Sequence, residues 1–224
     1  VAAGDAAEAG RQVKRAKILM NEAPLSLLLS AQSAQLNGDD QAAMRFFQEM
    51  SENPETEFLG LRGLLTHAMK SDDQVRALGL ARRAHRLKSK SEWVSTSLFD
   101  LQIRAGKWAD AQMTSDEQLR SGFTSRDNYK QRKAVLAVQQ GLELHASGKA
   151  DEAGRKFKIG YDTAPKFIPA VIHHAEALIT QGKYGQAADV LAKTWKSEPH
   201  PELVDPYWRT AKAEVPLQRV KAID

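Results

Sequence analysis

Polar turn signals punctuate this chain at Gly4-Asp5, Gly38-Asp39, Asp72-Asp73, Gly106-Lys107, Gly148-Lys149 and Gly182-Lys183, at intervals of 34, 34, 34, 42 and 34 residues. A fixed period in this range means one supersecondary unit used again and again. An alanine stands five residues after each turn start: Ala9, Ala43, Ala77, Ala111, Ala153 and Ala187. Nine residues after the turn comes a larger apolar side chain in four units, Val13, Phe47, Phe157 and Leu191, while Ala81 and Ser115 depart from it. Pro54, Pro165 and Pro199 close three units. The physical reading is a helical hairpin. Gly or Asp ends the first helix and the polar pair turns the chain. The alanine lets the second helix approach the first, the larger residue one turn on fills the groove, and proline stops the second helix. Such a hairpin cannot bury its apolar face alone and must stack on its neighbours.

A 34-residue unit with this Ala, Phe and Pro pattern resembles the tetratricopeptide repeat. The expected fold class is therefore all-α: a TPR-like superhelical solenoid of stacked antiparallel helix hairpins. One such solenoid is expected over residues 1–224, with turns near 4, 38, 72, 106, 148 and 182. First helices are predicted over 25–37, 57–70, 92–105, 126–147 and 167–181, and second helices over 5–21, 40–51, 74–88, 108–120, 151–163 and 185–197. A last helix is predicted over 202–213. The extended unit, 106–148, holds eight extra residues, about two helical turns, assigned to the loop 121–125 and a lengthened helix after it. The small residue expected in the middle of each first helix is present as Ala31, Gly141 and Ala175, but Leu65 and Phe99 replace it elsewhere. An aromatic two residues after the turn occurs as Trp108 and Tyr184.

Three stretches carry a narrower likeness: Pro54-Glu55-Thr56-Glu57-Phe58-Leu59-Gly60-Leu61-Arg62-Gly63-Leu64, Leu98-Phe99-Asp100-Leu101-Gln102 and Pro199-His200-Pro201-Glu202-Leu203. Together they resemble the soluble repeat region of HemY-type proteins of alphaproteobacteria. That resemblance implies a bacterial inner-membrane protein, with a membrane anchor ahead of the repeats, and an association with late haem biosynthesis. The chain opens at Val1 and reaches a turn signal at Gly4, so it is expected to be a segment of a longer protein, without that anchor and on the cytoplasmic side. The HemY name is shared with an unrelated flavin-dependent oxidase. That activity does not carry over, because the sequence has no glycine-rich dinucleotide fingerprint on a βαβ unit.

Charge narrows the partners. Residues 1–60 carry 5 basic and 9 acidic groups, 61–135 carry 15 and 8, and 136–224 carry 12 and 11. The basic middle third is the place for an anionic partner. Its densest run is Arg82, Arg83, Arg86, Lys88 and Lys90, on a second helix and the loop behind it. An anionic membrane surface is one expected contact; nucleic acid is not expected. With no cysteine, disulfides and thiolate metal sites are excluded.

The chemistry of a catalytic site is missing from the pattern. No serine elbow, phosphate loop or metalloprotease motif occurs, and no two histidines sit at i, i+4, so neither enzyme nor metal site is expected. Asp39/Asp40 and Asp72/Asp73 read as turn and cap residues. Gly60 and Gly63 read as a close helix–helix contact. Of the six histidines, His145 and His173 lie on first helices and are the positions where a haem iron could be ligated. The first helices should line the concave face, which points to Arg62, Thr66, Met69, Trp93, Thr96 and Asp100 as the partner-binding surface, with Arg62 and Trp93 as anchors. Asp100 is placed where it could pair with Arg62. The function expected from all this is a non-catalytic interaction scaffold holding a protein partner, such as a tetrapyrrole-pathway enzyme, near the membrane. The alternative is a direct carrier or sensor of haem or porphyrin.

Overall fold

A computed structural model of the chain describes residues 23–211. The predicted helix over 5–21, with Ala9 and Val13, lies outside the described residues. Among these residues every regular element is helical: α1 (Ala23–Leu36), α2 (Asp40–Glu52), α3 (Glu57–Lys70), α4 (Gln74–Leu87), α5 (Glu92–Arg104), α6 (Trp108–Arg120), α7 (Arg126–Ala146), α8 (Ala150–Thr163), α9 (Ile168–Thr180), α10 (Tyr184–Ser197) and α11 (Val204–Thr210). The predicted spans fit within two residues except at the end. There a 3₁₀ turn, Pro201–Leu203, precedes the short α11 in place of one continuous helix. Pro206 explains the late start, since it has no N–H to give the Glu202 carbonyl; positions 212–213 of the predicted helix lie outside the described residues.

The chain divides between Gly106 and Lys107, at one of the predicted turns, into two compact units. In the first unit α1 packs on α2, α2 on α3, α3 on α4, and α4 on α5. In the second, α6 packs on α7, α7 on α8, α8 on α9, and α9 on α10, with α11 against α9 and α10.

The turns work as the sequence implies. Gly38, Gly106, Gly148 and Gly182 have φ between +64° and +76°, and Asp72 takes the same left-handed conformation at φ +55°. In the hairpins turned by Gly38, Asp72, Gly148 and Gly182 the next residue's N–H reaches back to a carbonyl five residues earlier: Asp39 to Ala34 (2.9 Å), Asp73 to Ala68 (3.0 Å), Lys149 to Leu144 (2.9 Å) and Lys183 to Leu178 (2.9 Å). This satisfies carbonyls that the helix end would orphan. Asp39 and Asp73 then cap the following helices, their carboxylates accepting the N–H of Ala42 and Arg76. The insertion falls where expected: Gly122, with φ +75°, ends α6, and α7 runs to 21 residues.

The five described repeat alanines, Ala43, Ala77, Ala111, Ala153 and Ala187, are 0–3% exposed. Gly60 is a close contact, as read: a Cβ there would meet the Ser51 N and lie 2.6 Å from the Phe47 carbonyl oxygen. The residue nine after each turn forms a volume pair with the residue seven before it. Phe47 clusters with Ala31, Ala81 with Leu65, and Leu191 with Ala175. Phe157 occupies the place that a Cβ on Gly141 would take. The two departures Ala81 and Leu65 are thus one compensated exchange, large for small, which keeps the packed volume.

Two predictions follow from this packing. Ala43→Leu, Ala153→Leu and Ala187→Leu should each overpack a helix–helix contact and cost about 1–3 kcal/mol, read as a lower urea midpoint; unchanged midpoints in all three would refute the register. Leu65→Ala and Ala81→Phe should each destabilise alone. Together they should cost less than their sum by about 1 kcal/mol or more, a coupling that a double-mutant cycle measures.

Candidate functional site

The first-helix face of the first unit collects the predicted partner-binding residues. On α3 the buried side is Gly60, Leu61, Leu64, Leu65 and Ala68. This leaves Arg62, Thr66 and Met69 exposed along a stripe at i, i+4, i+7. On α5 the buried side includes Val94, Ser95, Leu98, Phe99 and Leu101, leaving Trp93, Thr96 and Asp100 exposed. The Arg62 guanidinium lies 5.2 Å from the centroid of the Trp93 ring, a cation–π contact between the two stripes. Arg62 therefore pairs with Trp93 rather than with Asp100; Asp100 has no ion-pair partner among the described residues. Trp93 is 37% exposed and Met69 42%. The sequence reading passed over Leu25 and Leu59, which stand 68 and 34 residues before Trp93 at the same place in the repeat. Leu59 is exposed and Leu25 half-buried. The constant offset was the signal that could have found them.

The basic run is less free than its composition implies. Arg83 donates to the Glu57 carboxylate at 2.8 Å and to the Ser51 carbonyl at 2.8 Å. It thereby braces the junction where α2 gives way to α3, where the Thr56 hydroxyl also donates to the Met50 carbonyl at 2.8 Å. The Lys88 ammonium stands 4.5 Å from the Phe58 ring centroid. Arg82, Arg86 and Lys90 are exposed. Arg83 and Lys88 thus hold helices together as well as charging the surface.

His145 sits exposed in the last turn of α7. His173 is stacked on Phe157, with ring centroids 5.0 Å apart, and its Nδ1 faces Glu176 at 3.6 Å. Glu176 in turn accepts from Arg209 of α11 at 2.8 Å. The hydrogen bond to His173, and behind it Arg209, hold the Glu176 carboxyl below its ordinary range against the opposing effect of burial. Among the described residues no three His, Asp or Glu side chains gather as a metal site, and no helix is long and apolar enough to cross a membrane.

His174 is the neighbour that sequence reasoning left aside. It is 8% exposed, stacks on Tyr161 with centroids 5.2 Å apart, and its Nδ1 is enclosed without a hydrogen-bond partner. Burial pushes its pKa down from 6.5, Lys158 adds to the shift, and Asp162 opposes it.

No protein-family profile matches the chain. It is 27% identical over 128 residues to a probable magnetosome protein, Mms48, of Magnetospirillum gryphiswaldense; the alignment takes in 56% of this chain. The chain spans 28% of that relative's length. Among solved structures, MamA is 16% identical with a TM-score of 0.43, covering 88% of this chain and 98% of its own. A tetratricopeptide repeat protein from Parabacteroides merdae is 17% identical with a TM-score of 0.49, covering 98% of this chain and 86% of its own. The HemY-type resemblance of the sequence has no counterpart among these.

The state of His174 yields a pH prediction. Its folded pKa lies below the unfolded value, so on acidification the unfolded chain takes up this proton first. Its contribution to stability is present above about pH 6.5 and is lost as pH falls below it. His174→Gln, which copies Gln140 of the preceding repeat, should flatten the decline in urea midpoint between pH 7.5 and 5.5 relative to the native chain. Equal slopes in the two proteins would refute the assignment.

Proposed function

We propose that this chain is a non-catalytic protein-interaction scaffold whose first unit grips a protein partner across the stripe Arg62, Thr66, Met69, Trp93, Thr96 and Asp100. The observation that carries the reading is the Arg62–Trp93 pair, an exposed arginine on an exposed tryptophan. Both residue types supply binding energy out of proportion to their number. They are held by helices whose other sides are packed, so little order is lost on binding. The partner class to test first is an enzyme of the tetrapyrrole pathway at a bacterial inner membrane, an assignment resting on the HemY-type resemblance alone. His173 is already engaged by Phe157 and Glu176, which favours the scaffold over a haem carrier using that side chain. Arg82, Arg86 and Lys90 are the exposed cations of the run that lie outside the two contacts described for Arg83 and Lys88. Their exposed charge is what the run would offer an anionic membrane.

Arg62→Ala combined with Trp93→Ala should weaken partner capture at least tenfold, about 1.4 kcal/mol, while circular dichroism and the urea midpoint stay close to native. The measurement is quantitative mass spectrometry of proteins retained by native and variant chains. Undiminished capture by the folded variant would move the binding surface elsewhere; loss of folding would make these residues packing rather than recognition.

A further inference from the structure

The repeat register allows two grooves of the second unit to be compared position by position. One lies among α6, α7 and α8, the other among α8, α9 and α10. Advancing one repeat replaces Gln112 by Gly154, Met113 by Arg155, Asp116 by Lys158, Gln140 by His174 and Lys156 by Val190. The first groove answers its own charges. The Asp116 carboxylate accepts from the Tyr129 hydroxyl at 2.9 Å and from Gln112 at 2.6 Å, and the Lys156 ammonium donates to Gln140 at 2.6 Å.

The second groove answers its own only in part. A cation, Lys158, stands where the first groove has its carboxylate. Val190 stands where it has the lysine that satisfies Gln140, and His174, in the place of Gln140, has no hydrogen bond. Gly154 in place of Gln112 leaves room: a Cβ there would meet only Gln181 Nε2 at 3.4 Å and the Ala177 Cβ at 3.7 Å. The result is a cavity of about 320 Å³ walled by Arg155, Lys158, Lys183 and His174, with Asp151 as its acidic member. Arg155 has no hydrogen bond or ion pair among the described residues. Lys183 reaches Gln181 at 2.9 Å and Lys158 pairs with Asp162 at 2.5 Å, both at the exposed surface. The His174 tautomer with its proton on Nε2 avoids enclosing an unpaired N–H at Nδ1, which is the costlier of the two buried defects. That leaves the other edge of the ring as a donor.

We propose that this groove binds a carboxylate, the Asp or Glu side chain of an acidic protein segment, with Arg155, Lys158 and Lys183 supplying the charge and the His174 ring a hydrogen-bond donor. The occupant restores the acidic group that the neighbouring groove carries as Asp116. A carboxylate fits better than a phosphate, because Asp151 and Asp162 offset two of the three cations and leave about one positive charge, the match for a singly charged group. The site extends the scaffold reading to the second unit and shares no residue with the Arg62–Trp93 face, so either can fail alone.

The test is fluorescence anisotropy with a labelled hexaglutamate peptide and the full 224-residue chain at low salt, with proton–nitrogen correlation spectra reporting the His174 ring. Arg155→Glu combined with Lys158→Glu should weaken peptide binding at least tenfold, and the peptide should shift the His174 ring resonances in the native chain. Arg45→Glu combined with Arg76→Glu changes net charge equally at exposed positions of the other unit and should leave binding within twofold. Equal weakening by both pairs would reduce the binding to unspecific charge attraction and overturn the proposal, as would full binding by the Arg155/Lys158 variant. Inorganic phosphate binding as tightly as the peptide would make this a free-anion site and overturn the peptide assignment. Should the charge-reversed variant fail to fold, Arg155→Gln with Lys158→Gln takes its place and must weaken the peptide at least threefold.

Discussion

Everything in these units depends on two helices being able to lie close enough for one side chain to fill the space between them. The pair at seven residues before and nine after each turn sets that distance. Phe47 against Ala31, Ala81 against Leu65 and Leu191 against Ala175 put one large and one small residue into the same space. Phe157 fills the place left by the missing side chain of Gly141. Phe47 also lies over Gly63 of the next hairpin, and at the equivalent place His173 stacks on Phe157. The filling residue thus touches its own hairpin and its successor. Stacking and hairpin closure become one packing problem, and interiors at crystal-like density leave little tolerance for solving it badly.

That constraint explains what could be read from the chain before its structure. A left-handed turn residue, a cap, an alanine and a proline are each local, and each speaks through its own backbone preference or its own size. Hence the helix limits came out within a residue or two, and Asp72 is left-handed at the head of its turn as the glycines are in theirs. The start of the last helix was misjudged because Pro206, which has no N–H for the Glu202 carbonyl, leaves a 3₁₀ turn where a helix was expected. Leu65 and Ala81 looked like departures from the pattern only because each was judged alone.

The surface was legible only in part, for a physical reason. A stripe is a periodicity, so the Arg62 and Trp93 stripes could be drawn from spacing. Side-chain partners drawn from distant helices leave no such trace. Arg83 meets Glu57 and Ser51, which are 26 and 32 residues away, and nothing in a run of basic residues distinguishes a brace from a free charge. Asp100 was assigned to Arg62 by sign, yet the guanidinium turns to the tryptophan face, where a flat, weakly hydrated cation loses little water.

Comparison between repeats recovers some of what single positions hide. A repeat protein is a series of internal controls: the same backbone location is occupied several times by different side chains. Where the replacement keeps volume, as with Leu65 and Ala81, packing accounts for it. Where it leaves volume and charge unanswered, packing does not. Exchanging Asp116 for Lys158 reverses a charge while Gln140 gives way to His174 and the lysine that served Gln140 becomes Val190. The close approach of the helices does not call for these substitutions, since the repeat alanines Ala111 and Ala153 are buried alike. A buried ring nitrogen without a partner costs stability, and that cost is the physical reason to look for a function in the second groove rather than the first.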